Sequence, residues 1–148
     1  MSEVLSKLAE PFVRRDEGLV YDGDLVPEEA WALVRENPGV RLLDIRSQAE
    51  WELVGRIPGA IEVEYRTYPG WRLNQDFIAL VRQKTRGAEA LLLLCRSGAR
   101  SREAAEVLAE SGFKRVFNVL EGFEGDKDGR GQRLQGGWKA RGLPWVHS

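Results

Sequence analysis

Residues 91–101 read Leu91-Leu92-Leu93-Leu94-Cys95-Arg96-Ser97-Gly98-Ala99-Arg100-Ser101. Leucines in unbroken succession, without polar alternation, mark a strand buried on both faces, as in a parallel sheet. The stretch that follows, Arg102-Glu103-Ala104-Ala105-Glu106-Val107-Leu108, has the composition of a helix. The only cysteine therefore falls at a strand-to-helix turn. Backbone N–H groups converge at such a turn, and the helix dipole presents partial positive charge there. Arg96 and Arg100 add to that field. All three effects favour thiolate, the reactive form of a cysteine. The turn is suited to hold a nucleophilic sulfur and to bind a small oxyanion.

Working outward, the same alternation of strand and helix recurs. Pro27-Glu28-Glu29 opens a helix, with proline in its first turn and acids at its positive end, and Asn37-Pro38-Gly39 stops it. Val40 to Ile45 is a strand leading into Asp44-Ile45-Arg46. Ser47 caps a short helix to Leu53. Ile57-Pro58-Gly59-Ala60 is a turn before a brief strand, Ile61 to Val63. A loop with Tyr65, Tyr68, Pro69 and Trp71 precedes a helix from Asn74 to Arg86, closed by Gly87. Residues 101–111 form a helix ended by Gly112, and Arg115 to Val119 is the last strand. Short extended pieces are expected at Leu19-Val20-Tyr21 and Leu25-Val26. The pattern predicts an α/β layered domain with a mostly parallel sheet. Ligands in such sheets bind at the carboxyl ends of the strands, where Cys95 lies.

A chain of 148 residues is long enough for one domain with its own core. Residues 1–18 read as an N-terminal extension and 19–148 as the domain. The 22 Lys and Arg against 23 Asp and Glu leave a net charge of −1, with no basic stripe to attract nucleic acid or an acidic membrane. No apolar run approaches the roughly 20 residues of a membrane span. Arg14-Arg15 is followed by Asp16-Glu17-Gly18 rather than an apolar stretch, which argues against a twin-arginine export signal. One Cys and one His are too few soft ligands for structural zinc, and a lone thiol suits a reducing compartment, so a cytoplasmic location is expected. Residues 124–137 are rich in glycine and charge and read as a surface excursion. Asp126-Lys127-Asp128-Gly129 within it lacks the remaining spacing of a calcium loop. Trp138 to Trp145 reads as a closing helix and turn that cover the sheet edge. No metal or cofactor is expected.

Four segments in order resemble the single-domain rhodaneses, a family of sulfurtransferases. They are Leu43-Asp44-Ile45-Arg46-Ser47-Gln48-Ala49-Glu50-Trp51, Gly55-Arg56-Ile57-Pro58-Gly59-Ala60, the loop from Leu94 to Ser101, and Leu120-Glu121-Gly122-Phe123 with Trp138 and Gly142-Leu143-Pro144. The resemblance implies three layers, with a central five-stranded, mainly parallel sheet flanked by helices, and Cys95 as a persulfide carrier. Two positions depart from the family pattern. Arg56 stands where histidine is usual, and Phe123 where a second glycine is usual.

The expected chemistry is attack by Cys95 on the sulfane sulfur of a small sulfur-containing anion such as thiosulfate. The sulfur then passes to cyanide, a small thiol or a thiol protein. Two half-reactions through a covalent intermediate predict ping-pong kinetics. The N–H groups of residues 96–101, Ala99 among them, would form a nest for the negative sulfur. Arg96 and Arg100 would hold the oxyanion. Gly98 would let the backbone curl, and Ser97 and Ser101 offer hydroxyls. Arg100 could instead pair with an acid on the following helix. Asp44 and Arg46 are expected to support the loop as a hydrogen-bonded pair, and Glu50 to be structural.

Two other classes compete. Phosphatases and arsenate reductases also use a cysteine in an anion loop, but place arginine six positions after it, where this chain has Ser101. A non-catalytic binding module of this family usually lacks the cysteine. A Cys/His hydrolase has no suitable base, since the only histidine is His147.

Overall fold

The computed structural model describes residues 20–125 and 136–147. The proposed extension over 1–18 and most of the 124–137 excursion, with its calcium-like run, lie outside the described residues. Five strands form one parallel sheet: β1 (Gly23–Leu25), β2 (Val40–Asp44), β3 (Ile61–Glu62), β6 (Ala90–Leu94) and β7 (Val116–Val119), in the order β1-β7-β6-β2-β3. A separate antiparallel hairpin joins β4 (Arg66–Thr67) to β5 (Arg72–Leu73). The helices are α1 (Pro27–Glu36), α2 (Gln48–Val54), α3 (Phe77–Lys84), α4 (Ala99–Glu110) and the single turn α5 (Gly137–Ala140).

The leucine run explains the layering. In a strand, successive side chains point to opposite faces. Leu92 and Leu94 join a core with Ala30 and Leu33 of α1, Trp138 of α5, and Phe123 from the turn after β7. Leu91, Leu93 and Cys95 join a second core with Phe77 and Val81 of α3 and Ala104, Ala105 and Leu108 of α4. The sheet is thus the middle of three layers, as expected. β6 needs apolar residues at every position because both of its faces are covered.

Helix boundaries follow local chemistry. Ser47 accepts the Glu50 N–H, and Glu50 reaches back to the Ser47 N–H, a capping box that starts α2 where the serine predicted it. Asn74 does not cap α3 directly. Its Oδ1 accepts the Asp76 N–H at 3.0 Å, which folds the turn just before the helix. The segment 138–145 packs differently from the sequence expectation. Trp138 is fully buried beside α1, its ring edge-on to Trp31 at 5.9 Å, so it covers a face of the sheet rather than an edge. The end of the segment is tied to the chain before β3 by a bridge in which Arg56 and Val146 exchange backbone hydrogen bonds of 2.7 and 2.8 Å.

β2 and β6 are the pair at which the order of strands reverses, because the chain moves outward to β3 on one side and to β7 on the other. Such a switch point opens a crevice at the carboxyl ends of the strands. Asp44 closes β2 and Cys95 follows β6 directly, so both segments meet in that crevice.

Candidate active site

Cys95 is the first residue after β6, and its side chain is only 1% exposed. The loop turns tightly around its sulfur. Gly98 donates its N–H to Sγ at 3.1 Å. Gly98 has φ 107° and caps α4, a left-handed conformation that a side chain would strain. Ser101, on the first turn of α4, places Oγ 3.3 Å from Sγ and 2.5 Å from Asn118 Oδ1. That hydroxyl has one proton for two acceptors, so Asn118 on β7 governs which of them receives it. Asn118 also donates from Nδ2 to the Gly98 carbonyl at 3.4 Å.

The backbone behind the loop is clamped by the turn after β7. Phe123 donates its N–H to the Cys95 carbonyl at 2.8 Å, and Glu124 to the Arg96 carbonyl at 2.9 Å. This contact requires Gly122. Its φ is 59°, and a Cβ there would lie 2.5 Å from the Cys95 carbonyl oxygen. Phe123, where the family pattern has glycine, is fully buried. Its ring carries the Arg46 guanidinium at 4.2 Å. Arg46 is itself fully buried and bonded to Asp44 through Nε at 2.9 Å and Nη2 at 2.7 Å, and to the Gly55 carbonyl at 2.9 Å. Asp44 and Arg46 thus form a hydrogen-bonded pair beneath the crevice. Arg56 fills the other departure from the pattern, with Nε 3.7 Å from Glu62.

The two loop arginines are placed differently. Arg100 gives both terminal nitrogens to Glu50 at 2.8 Å each, and its guanidinium lies 4.9 Å from the Trp71 ring centre. Its acidic partner is on α2, not on the following helix. Burial acts to raise the Glu50 carboxyl, but Arg100 and the Ser47 amide and hydroxyl outweigh it and hold Glu50 below the usual carboxylate range. Arg96 is 43% exposed. Its Nε lies 3.2 Å from Glu124 without the alignment of a hydrogen bond. Arg96 is therefore the more available cation of the two. Ser97 and Ala99 complete the loop.

A cavity of about 290 Å³ opens beside the loop, lined by Ser47, Glu50, Leu53, Tyr68, Trp71 and Arg96. The β4–β5 hairpin supplies Tyr68 and Trp71, so this short element forms one wall. Among the described residues no group of His, Cys, Asp and Glu is arranged to hold a metal ion, and no helix is long and apolar enough to cross a membrane.

The structure brings together the residues singled out from the sequence, Cys95 with its loop and the Asp44–Arg46 pair, in one crevice. Asn118 and the Glu50–Arg100 pairing were not singled out, and Trp71, for which packing was the favoured reading, lines the cavity. The capping-box glutamate was a visible signal for an ordered Glu50. Nothing local marked Asn118, which is apolar-flanked within a strand.

Comparison with known proteins places the fold in a family. The family model of the Rhodanese-like domain matches residues 26–128. An uncharacterised protein of Rickettsia conorii is 33% identical over 121 residues, covering 79% of this chain and 91% of that protein. The thiosulfate sulfurtransferase GlpE of Actinobacillus pleuropneumoniae is 28% identical, over 82% of this chain and 90% of its own. The crystal structure of Rv0390 from M. tuberculosis superposes with a TM-score of 0.79 at 40% identity, over 86% of this chain and 99% of that one. A model spanning most of the sheet, and relatives aligned along nearly their whole length, make the chain a member of the rhodanese-like domain family.

Proposed function

We propose that the protein is a sulfurtransferase that carries sulfane sulfur as a persulfide on Cys95. The observation that carries this reading is the cradle around Sγ: a backbone N–H from Gly98 and a serine hydroxyl, at the amino end of α4. The reading also draws on the likeness to GlpE, named as a thiosulfate sulfurtransferase.

In the first half-reaction the Cys95 thiolate attacks the outer sulfur of thiosulfate. An S–S bond forms to Cys95 as the S–S bond of thiosulfate breaks, and the bonding pair leaves with sulfite. Sulfite is stable as an anion, so its departure needs no general acid, and among the described residues none is hydrogen-bonded to Cys95. In the second, cyanide or a thiolate attacks the outer sulfur of the persulfide, forms thiocyanate or a new persulfide, and returns the electron pair to Cys95. The charge on the persulfide rests on its outer sulfur, for which the loop amides from Arg96 to Ser101 and the helix dipole are the stabilising groups. Arg96 holds the donor's oxyanion end, while Arg100, committed to Glu50, stiffens the loop. A small anion or a thiol enters through the cavity walled by Tyr68 and Trp71. The lone cysteine works reduced, which suits the cytoplasm.

Steady-state kinetics test the reading. With thiosulfate and cyanide both varied, double-reciprocal plots should be parallel, and Cys95→Ser should reduce turnover to background. Intersecting lines, or turnover surviving in Cys95→Ser, would reject the carrier role. Release of phosphate from an aryl phosphate by the parent, without sulfur transfer, would favour the phosphatase class instead.

A further inference from the structure

The amino ends of the strands, opposite Cys95, hold a second concavity. It lies between the chain entering β6 and the chain entering β7, and its volume is about 540 Å³. That is the size range of small-molecule sites. Among the described residues, four cations line it, Arg82, Arg86, Lys114 and Arg115, against one carboxylate, Glu89. The chain as a whole is nearly balanced in charge, so this is a local inversion.

Among the described residues, charge compensation accounts for only part of it. Arg82 lies in the last turn of α3 and offsets the negative end of that helix. Its guanidinium is oriented by the Phe113 ring at 4.6 Å and the Ser111 carbonyl at 3.4 Å. Arg86 lies past the end of α3, and Lys114 and Arg115 past the end of α4 at Glu110. Among the described residues, Arg86, Lys114 and Arg115 form no ion pair. Arg115 also holds a left-handed backbone, φ 57°, while its carbonyl accepts the Leu91 N–H at 3.0 Å. Glycine or asparagine takes that conformation at lower cost, so an arginine there spends backbone strain to set a guanidinium at the rim.

We propose that this concavity binds a small anion carrying two or three linked phosphates. Guanidiniums from two loops match adjacent phosphates by paired N–H···O bonds, and Lys114 adds a point charge. Phe113 offers an apolar ring beside them. The site is separate from the sulfur-carrying loop and does not depend on its chemistry.

Calorimetric titration of the full chain, with inorganic tripolyphosphate and separately with ATP, tests it. The parent should show one saturable site with Kd below about 1 mM for at least one probe. The triple variant Arg86→Ala/Lys114→Ala/Arg115→Gly should bind at least about tenfold more weakly, and Cys95→Ser should bind as the parent does. Glycine preserves the left-handed backbone at 115. Should the triple variant not fold, the single variant Lys114→Glu carries the same expectation of weakened binding. Tighter binding of ATP identifies a nucleotide as the ligand and equal binding identifies the phosphate chain; both support the proposal. Absence of saturable binding of either probe, undiminished binding in a folded variant, or loss of binding in Cys95→Ser would overturn it.

Discussion

Glu50 determines how much of Arg100 is left for a ligand. Two 2.8 Å bonds tie the guanidinium to this one carboxylate, with both side chains mostly shielded from water. Glu50→Gln should lower stability by roughly 1–3 kcal/mol, as for other charged hydrogen bonds. The pH dependence has a definite sign. The folded Glu50 carboxyl lies below its ordinary value, so its stabilisation is full above the unfolded value near 4.3 and fades as pH falls through the folded one. Denaturant melts of parent and Glu50→Gln should differ by a constant amount from neutrality down to about pH 4.3, then converge. A gap unchanged at pH 3 would place the stabilisation elsewhere. The Asp44–Arg46 pair is fully buried on both sides. Asp44→Ala would strand a buried guanidinium, at a cost of about 3–5 kcal/mol measured by equilibrium unfolding. Cys95 and its loop were legible in sequence because they are consecutive. The partners that orient them were not, since Glu50 and Asn118 arrive from other elements and no local spacing links them to Arg100 or Ser101.

The seat of the loop is built by the turn that follows β7, and Gly122 is its critical position. A methyl group there would meet the Cys95 carbonyl at 2.5 Å with φ at 59°. Gly142 provides the contrast, because its φ is 75° but nothing lies within 4 Å of a Cβ. Gly142→Ala should cost about 1 kcal/mol of backbone strain and leave sulfur loading unchanged. Gly122→Ala should cost more, about 2–4 kcal/mol, and slow loading as the loop is pushed away from β7. Unfolding curves and the rate of persulfide formation on the two variants check the pair; equal effects would contradict the account. The longer strands and the helices could be read in advance from apolar runs, caps and stop signals, but β1 was misplaced: Val20 and Tyr21 bend rather than extend, and the strand runs over Gly23–Leu25, whose Gly-Asp-Leu carries no apolar run. The β4–β5 hairpin could not be read in advance. Arg66-Thr67 and Arg72-Leu73 are two residues each and show no alternation, and only packing over Arg100 gives them a role.

The three layers follow from one property of the sequence, a central strand apolar at every position. That strand demands cover on both faces. α3 and α4 provide one cover, and α1 and Trp138 the other. Trp138→Ala should therefore cost about 3–5 kcal/mol in thermal or chemical unfolding, a core-sized loss from a residue near the end of the chain. The layer order was readable from alternating elements, but the destination of Trp138 was not, since a lone tryptophan after a glycine-rich stretch fits a face or an edge equally. The strand direction then puts the reactive sulfur and the cationic concavity at opposite ends of the sheet. The central claim is that Cys95 stores one sulfur atom between donor and acceptor. It is tested most directly by exposing the protein to thiosulfate, removing the excess and weighing the intact chain. The account predicts a gain of one sulfur atom that disappears on adding cyanide and never forms in Cys95→Ser. An unchanged mass in the folded parent, or the same gain in Cys95→Ser, would contradict it.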